Sequence, residues 1–227
     1  MVTPERSVFQ NTGSTSKFDP SASDSQQSAG DAVKSLVTSK SLPEESFARW
    51  RCEEWRDQLL QTSPRIRKLL SGLAENNCAL NPTRHISFIT CTPTVLGGFI
   101  PSVGIQICAN HMTAKEHLER SLTHELVHAY DYCTADIKYD NMRHHACTEI
   151  RAASLSGDCR FEREVIRGNL GNVVKMFERC VKRRAAISIE HNPQCRGPEH
   201  AKEVVEEVYR HCINDTAPFT QEELLNT

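Results

Sequence analysis

His124-Glu125-Leu126-Val127-His128 is the stretch on which the reading of this chain turns. It has the pattern H-E-x-x-H. On an α-helix, side chains four positions apart share a face. Both imidazoles therefore reach toward one point, and Glu125 stands beside them. Two imidazoles can grip a metal ion, and a neighbouring carboxylate can move the proton of a water, which is the arrangement of a zinc-dependent peptidase. The surrounding residues support a helix. Leu118, Leu122, Leu126 and Ala129 form an apolar stripe, while His124, His128 and Asp131 fall on another face. Thr113-Ala114-Lys115-Glu116 reads as a capping box with Thr113 as N-cap. The spacing predicts a helix from about Ala114 to Tyr132. The alternative is a surface helix carrying two solvated histidines.

Catalytic zinc takes three protein ligands and keeps one position for water. In the longer pattern H-E-x-x-H-x-x-G-x-x-H, the glycine and third histidine complete the site. Here Asp131 and Thr134 occupy those two places. The remaining candidates are Glu149, His144, His145 and Asp131. Glu149 is the first choice, 21 residues after His128 on the next expected helix. Its other reading is a salt bridge with Arg151 or a nearby lysine. His144 is the alternative ligand, and either His144 or His145 could instead donate a hydrogen bond to the transition-state oxyanion. Asp131 lies near a helix C-terminus, where an acid opposes the macrodipole. Accepting the second N–H of a ligand histidine, and so fixing its tautomer, would offset that cost.

The chain has 227 residues, a net charge of −2 and 25% charged residues. That balance gives no reason to expect nucleic-acid binding or a polybasic membrane anchor. No apolar run approaches the roughly 18–20 residues needed to cross a bilayer. Ten cysteines, none in a C-x-x-C pair, argue against a structural zinc ribbon and for a disulfide framework. Disulfides need an oxidising compartment. Yet the N-terminus has neither the apolar core of a secretory signal nor the Arg-rich, acid-poor character of a transit peptide. The mitochondrial intermembrane space fits both observations. Ten reduced, buried cysteines in a cytosolic enzyme are the other reading.

Residues 1–42 are Ser-rich and poor in large apolar residues, so disorder is expected there, with one folded domain over 43–227. Phe47, Trp50, Trp55 and Leu59 mark a packing helix up to Gln61, and Pro64 opens a second with Ile66, Leu69, Leu70 and Leu73. The two tryptophans are read as core rather than membrane contacts. His85 to Cys91 and Gly97 to Cys108 read as strands, placed where an exposed edge could hold an extended peptide. A Cys91–Cys108 bridge would flank them. Helices are expected from about Arg143 to Leu155 (ended by Gly157), from about Arg160 to Ala185, and from Pro198 as the last element. Cys180, Cys195 and Cys212 are expected to tie these segments down.

Residues 124–131 (HELVHAYD), 146–153 (ACTEIRAA) and 155–159 (LSGDC) together resemble the mitochondrial inner-membrane ATP synthase-processing metalloprotease family. Gly97-Gly98-Phe99, Ile105, Cys108 and Asn110 are similar to it too, and the likeness runs from about Cys52 to Cys212. The resemblance implies an α+β, mainly helical, zincin-like metalloprotease with a small β-sheet before the H-E-x-x-H helix, stabilised by disulfides. It implies Zn²⁺ held by His124 and His128, with Glu125 as the catalytic residue. It also implies a peripheral place on the intermembrane-space side of the inner membrane and oxidation by the import machinery. The implied substrate is the N-terminal presegment of a mitochondrially encoded ATP synthase proton-channel subunit, whose membrane-sector assembly such proteins assist. The alternative is an assembly chaperone with an idle or minor peptidase activity.

Overall fold

The computed structural model describes residues 43–92, 96–159 and 173–225. The disorder expected for residues 1–42, and the first part of the helix expected from Arg160, lie outside the described residues.

Helix α1 (Pro43–Thr62) leads directly into α2 (Pro64–Glu75). Ser63 separates them and caps α2, its side chain accepting from the Ile66 N–H, with Pro64 in the first turn where its missing donor is harmless. Ile66, Leu69 and Leu73 of α2 are buried. In α1 the core face carries Cys52 and Leu59, with Trp55 packed partly against them. Phe47 and Trp50 do not join the core as expected: each is 55% exposed. Trp50 is two residues from Cys52, about 200° round the helix at 100° per residue, so the two cannot share a face.

A short helix, α3 (Pro82–His85), feeds β1 (Ile86–Ile89), which is followed by β2 (Gly97–Ile100) and β3 (Gly104–Cys108). The sheet order is β1-β3-β2. Central β3 pairs parallel with β1 and antiparallel with β2, which leaves β2 as an edge. Gly104 opens β3 at φ +114, and a Cβ there would strike the His85 carbonyl oxygen, so the position needs glycine.

Helix α4 (Lys115–Thr134) follows a 3-10 turn and carries the H-E-x-x-H motif. Its start corrects the expected capping box. Ala114, not Thr113, holds the N-cap position, and no side chain caps it; the extended backbone of Ala114 carries Thr113 away from the first turn. Helix α5 (Met142–Leu155) is capped by the Asn141 side chain, which accepts from the N–H groups of Arg143 and His144. Gly157 follows its C-cap at φ 81, the left-handed conformation that ends helices. Helices α6 (Val173–Ile189) and α7 (Pro198–Cys212) come next. A further short helix, α8 (Gln221–Leu225), follows α7, which is therefore not the last element.

Two apolar clusters organise the described residues. The first joins α1, α2, the sheet and the buried face of α4; the second joins α5, α6 and α7. Helices α4 and α5 pack against each other along the seam. Four disulfides hold these parts: Cys78–Cys133, Cys91–Cys108, Cys147–Cys212 and Cys159–Cys180. Cys195 takes no bridge, against expectation; its thiol faces the Gly197 carbonyl within its own turn, at 3.3 Å. Cys52 is the other free thiol among the described residues. No helix among the described residues is long and apolar enough to cross a membrane.

Candidate active site

The seam between α4 and α5 gathers the titratable side chains. His124 and His128, one turn apart on α4, bring their rings to 4.8 Å between centroids. Glu149 of α5 enters from the opposite side. Its Oε2 lies 3.5 Å from His124 Nε2 and its Oε1 lies 3.4 Å from His128 Nε2. One donor atom from each of the three residues lies within 4.8 Å of the other two. The two N···O separations are long for hydrogen bonds, which run 2.7–3.2 Å. They match the edge of a tetrahedron whose centre is about 2.0–2.2 Å from each ligand.

Hydrogen bonding around His128 shows what its ring offers. Thr148 Oγ1 donates to Asp131 Oδ2 at 2.7 Å, so its one proton is used. At 2.9 Å from His128 Nδ1, the same hydroxyl must therefore accept, which puts the ring proton on Nδ1. His128 Nε2 is left as a lone pair aimed at the Glu149 carboxylate. Burial reinforces this by holding the imidazole pKa down at about 4, against the pull of Glu149. Two acceptors facing each other in a buried site call for a cation between them, and that fits a metal ion. Asp131 is fixed in turn by Arg151, whose Nε donates to Oδ1 at 2.9 Å. Arg151 also reaches the Asp215 carboxylate at 2.6 Å and the Ala217 carbonyl at 2.6 Å.

Glu125 is buried beside the triad. Burial pushes its carboxyl up to about 7; His124 and a hydrogen bond from the Phe99 backbone oppose the rise, and Glu149 adds to it. Burial would lower His124, but the close Glu149 carboxylate and the charge of Glu125 hold it above the ordinary imidazole value. Burial would raise Glu149, yet the imidazoles of His128, His124 and His145 gathered around it hold it well below the carboxylate range. These groups open onto a cleft of about 700 Å³. Gly97, Gly98 and Phe99 of edge strand β2 form one wall, and Arg184, Ile187 and Ser188 of α6 form the other. Leu96 and Ile187 are large apolar side chains left 43% and 54% exposed at the cleft.

The structure thus brings together His124, His128 and Glu149, with Glu125 adjacent. Among the described residues Glu149 forms no ion pair with Arg151, its other expected partner; Arg151 pairs with Asp131 and Asp215. His144 does not reach the triad: its Nδ1 accepts from the Lys138 N–H, at 3.3 Å. His145, four residues before Glu149, does line the cleft. Asp131 reaches His128 only through Thr148, not directly as expected. The sequence reading missed Thr148, Asn192 and the Phe99 N–H. Asn192-Pro193 marks a turn, but nothing in the sequence tells what the asparagine touches.

Comparison with known proteins shows the family of the chain. The model of the Peptidase M76 family matches residues 50–220. Mitochondrial inner membrane protease ATP23 of Malassezia globosa is 40% identical over 198 residues, 79% of this chain and 80% of that protein. The protein of that name from Mycosarcoma maydis is 41% identical over 205 residues, 79% of this chain and 94% of the relative. The one from Candida albicans is 44% identical over 172 residues, 74% and 72% of the two chains. No solved structure matches. With a His-His-Glu group that could hold a metal ion on two packed helices, and a family match over most of its length, the chain belongs to the peptidase M76 family.

Proposed function

We propose that the chain is a zinc metalloendopeptidase in which His124, His128 and Glu149 hold the ion and Glu125 is the catalytic residue. The observation that carries this reading is the convergence of the three donor atoms within 4.8 Å, beside a buried carboxylate. Two imidazoles and one carboxylate are a donor set used for catalytic zinc. When bound, the ion supplies Lewis acidity toward a water and a scissile carbonyl. Glu125 takes the proton of the attacking water and returns it to the leaving amine. A carboxyl whose pKa is raised toward neutrality suits both transfers. The Phe99 N–H steadies that carboxylate, and the outer edge of β2 offers backbone groups to an extended peptide. Leu96 and Ile187 suit a substrate with bulky apolar side chains.

The resemblance of the motifs, and relatives named as mitochondrial inner membrane proteases, support a place at the intermembrane-space side of that membrane, peripherally attached. The disulfides suit oxidation on import. The substrate of this reading is the N-terminal presegment of the mitochondrially encoded ATP synthase proton-channel subunit, and the protein assists assembly of the membrane sector. An apolar-lipped cleft fits the precursor of a membrane protein. The test is Glu125→Gln. The variant is expected to keep one equivalent of zinc and to leave the precursor uncut in cells. Cleavage at the wild-type rate would defeat the reading.

A further inference from the structure

Two imidazoles line the cleft outside the triad, His145 and His191. His145 is the one that approaches Glu149, and its surroundings fix its tautomer. Asn192 is buried in the turn after α6. Its Oδ1 accepts from the Gln194 N–H at 2.9 Å, which identifies the other end of the amide as Nδ2. Nδ2 lies 2.6 Å from the Tyr139 carbonyl, which can only accept, and 3.0 Å from His145 Nδ1. The amide has two protons and two partners. His145 Nδ1 therefore accepts, and the ring proton sits on Nε2. The Asn192 backbone is itself held: its N–H donates to the Ile189 carbonyl at 3.0 Å, and its carbonyl accepts from the Cys195 N–H at 2.8 Å. The Tyr139 ring packs edge-on to the imidazole, with centroids 5.8 Å apart.

The histidines on either side of Glu149 are thus set in opposite tautomers. His128 turns a lone pair toward the carboxylate, whereas His145 turns an N–H into the same space. That N–H is 3.6 Å from Glu149 Oε1, beyond hydrogen-bond reach, so the donor stays unspent. A protonated Nε2 also cannot ligate a metal.

We propose that His145 is a further catalytic residue: its Nε2–H donates to the oxyanion that develops on the scissile carbonyl, and Asn192 is the positioning residue that keeps the proton there. The proposal rests on the peptidase reading above. A fixed donor aimed where charge develops needs no reorganisation during the reaction, and losing one such donor typically slows catalysis by about 100- to 1,000-fold.

Long-range proton–nitrogen NMR of the imidazoles, on the full chain with and without zinc, reads the tautomer without any assay of activity. His145 is expected as the Nε2–H form in the wild type. In Asn192→Asp the new carboxylate accepts at Nδ1, so the proton is expected to move there. His145→Phe is expected to keep one equivalent of zinc and a KM within about threefold of wild type, while kcat falls about 100-fold or more. An Nδ1–H tautomer in the wild type overturns the proposal, as does unchanged kcat in His145→Phe. Loss of zinc from that variant overturns it too, by making His145 part of the metal site. Should the purified wild type bind no zinc or cleave no peptide, the peptidase reading falls and takes the catalytic role with it, even where the tautomer is as expected. Should the wild type cleave and His145→Phe cleave equally, only the present proposal falls.

Discussion

His128 offers its Nδ1 to the Thr148 hydroxyl at 2.9 Å, and not to Asp131. The relay through Thr148 costs nothing in tautomer control, because the hydroxyl has one proton and Asp131 receives it. Removing the hydroxyl frees the ring to carry its proton on either nitrogen and leaves a buried carboxylate one donor short. Thr148→Val is therefore expected to weaken metal binding by about 10- to 100-fold, the usual effect of losing a partner behind a ligand. Thr148→Ser should restore most of it. A competition titration against a coloured chelator measures both. Equal affinity in the wild type and in Thr148→Val would show that the hydroxyl does not set the ligand tautomer.

Metal uptake should release protons and tighten with pH. In the metal-free site the nearby carboxylates of Glu149 and Glu125 hold His124 above the ordinary imidazole value despite its burial. A ligand nitrogen must be deprotonated, so bound metal and the His124 proton compete. Affinity is expected to rise as pH climbs through that raised pKa and to level off above it. A weakly buffered indicator dye reads the released proton directly. Affinity that stays constant as the pH falls below the ordinary imidazole range would contradict this.

Much of this site could be read from the sequence, for a physical reason. Metal ligation by one helix demands histidines one turn apart, and the apolar stripe Leu118, Leu122, Leu126 and Ala129, fully buried here, sets the phase of that helix. The sequence narrows the candidates for a third ligand without deciding among them. His144, His145 and Glu149 lie within about one and a half turns of α5, and which of them meets α4 depends on how the two helices roll together, a property of packing alone. The ring tautomers depend on Thr148 and Asn192, whose partners are 17 and 47 residues away. Trp50 failed for another reason. Its size suggested core, but burial in α1 follows the Cys52 and Leu59 face, and composition cannot say which face that is.

Arg151 should prove a large stabiliser of the metal-free fold, through Asp131. The pair is almost wholly buried, with side-chain exposures of 5% and 6%. Arg151→Leu leaves a buried carboxylate without its cation, which typically costs about 3–5 kcal/mol. Replacing both partners removes the stranded charge, so Arg151→Leu with Asp131→Leu is expected to recover a good part of that loss. Urea denaturation of the two variants decides it. A double variant no more stable than the single one would mean that the Asp215 and Ala217 contacts of Arg151, and not the Asp131 pair, carry the energy.

Thiol counting separates the two free cysteines from the four bridges and links the bridges to the site. In denaturant without reductant, alkylation is expected to label only Cys52 and Cys195. In the folded protein Cys195 should react first, since burial both covers the Cys52 thiol and pushes its pKa up to about 11. The Cys147–Cys212 bridge staples α5 to α7 only two residues from Glu149. Replacing both by serine is expected to cost about 2–5 kcal/mol. Because α5 then packs less firmly, zinc affinity should fall with stability. The outer bridge Cys91–Cys108 lies beside the sheet, so its loss should destabilise with a smaller effect on metal affinity. If the two pairs of replacements weakened zinc binding equally, the link between the α5 staple and the placement of Glu149 would be wrong.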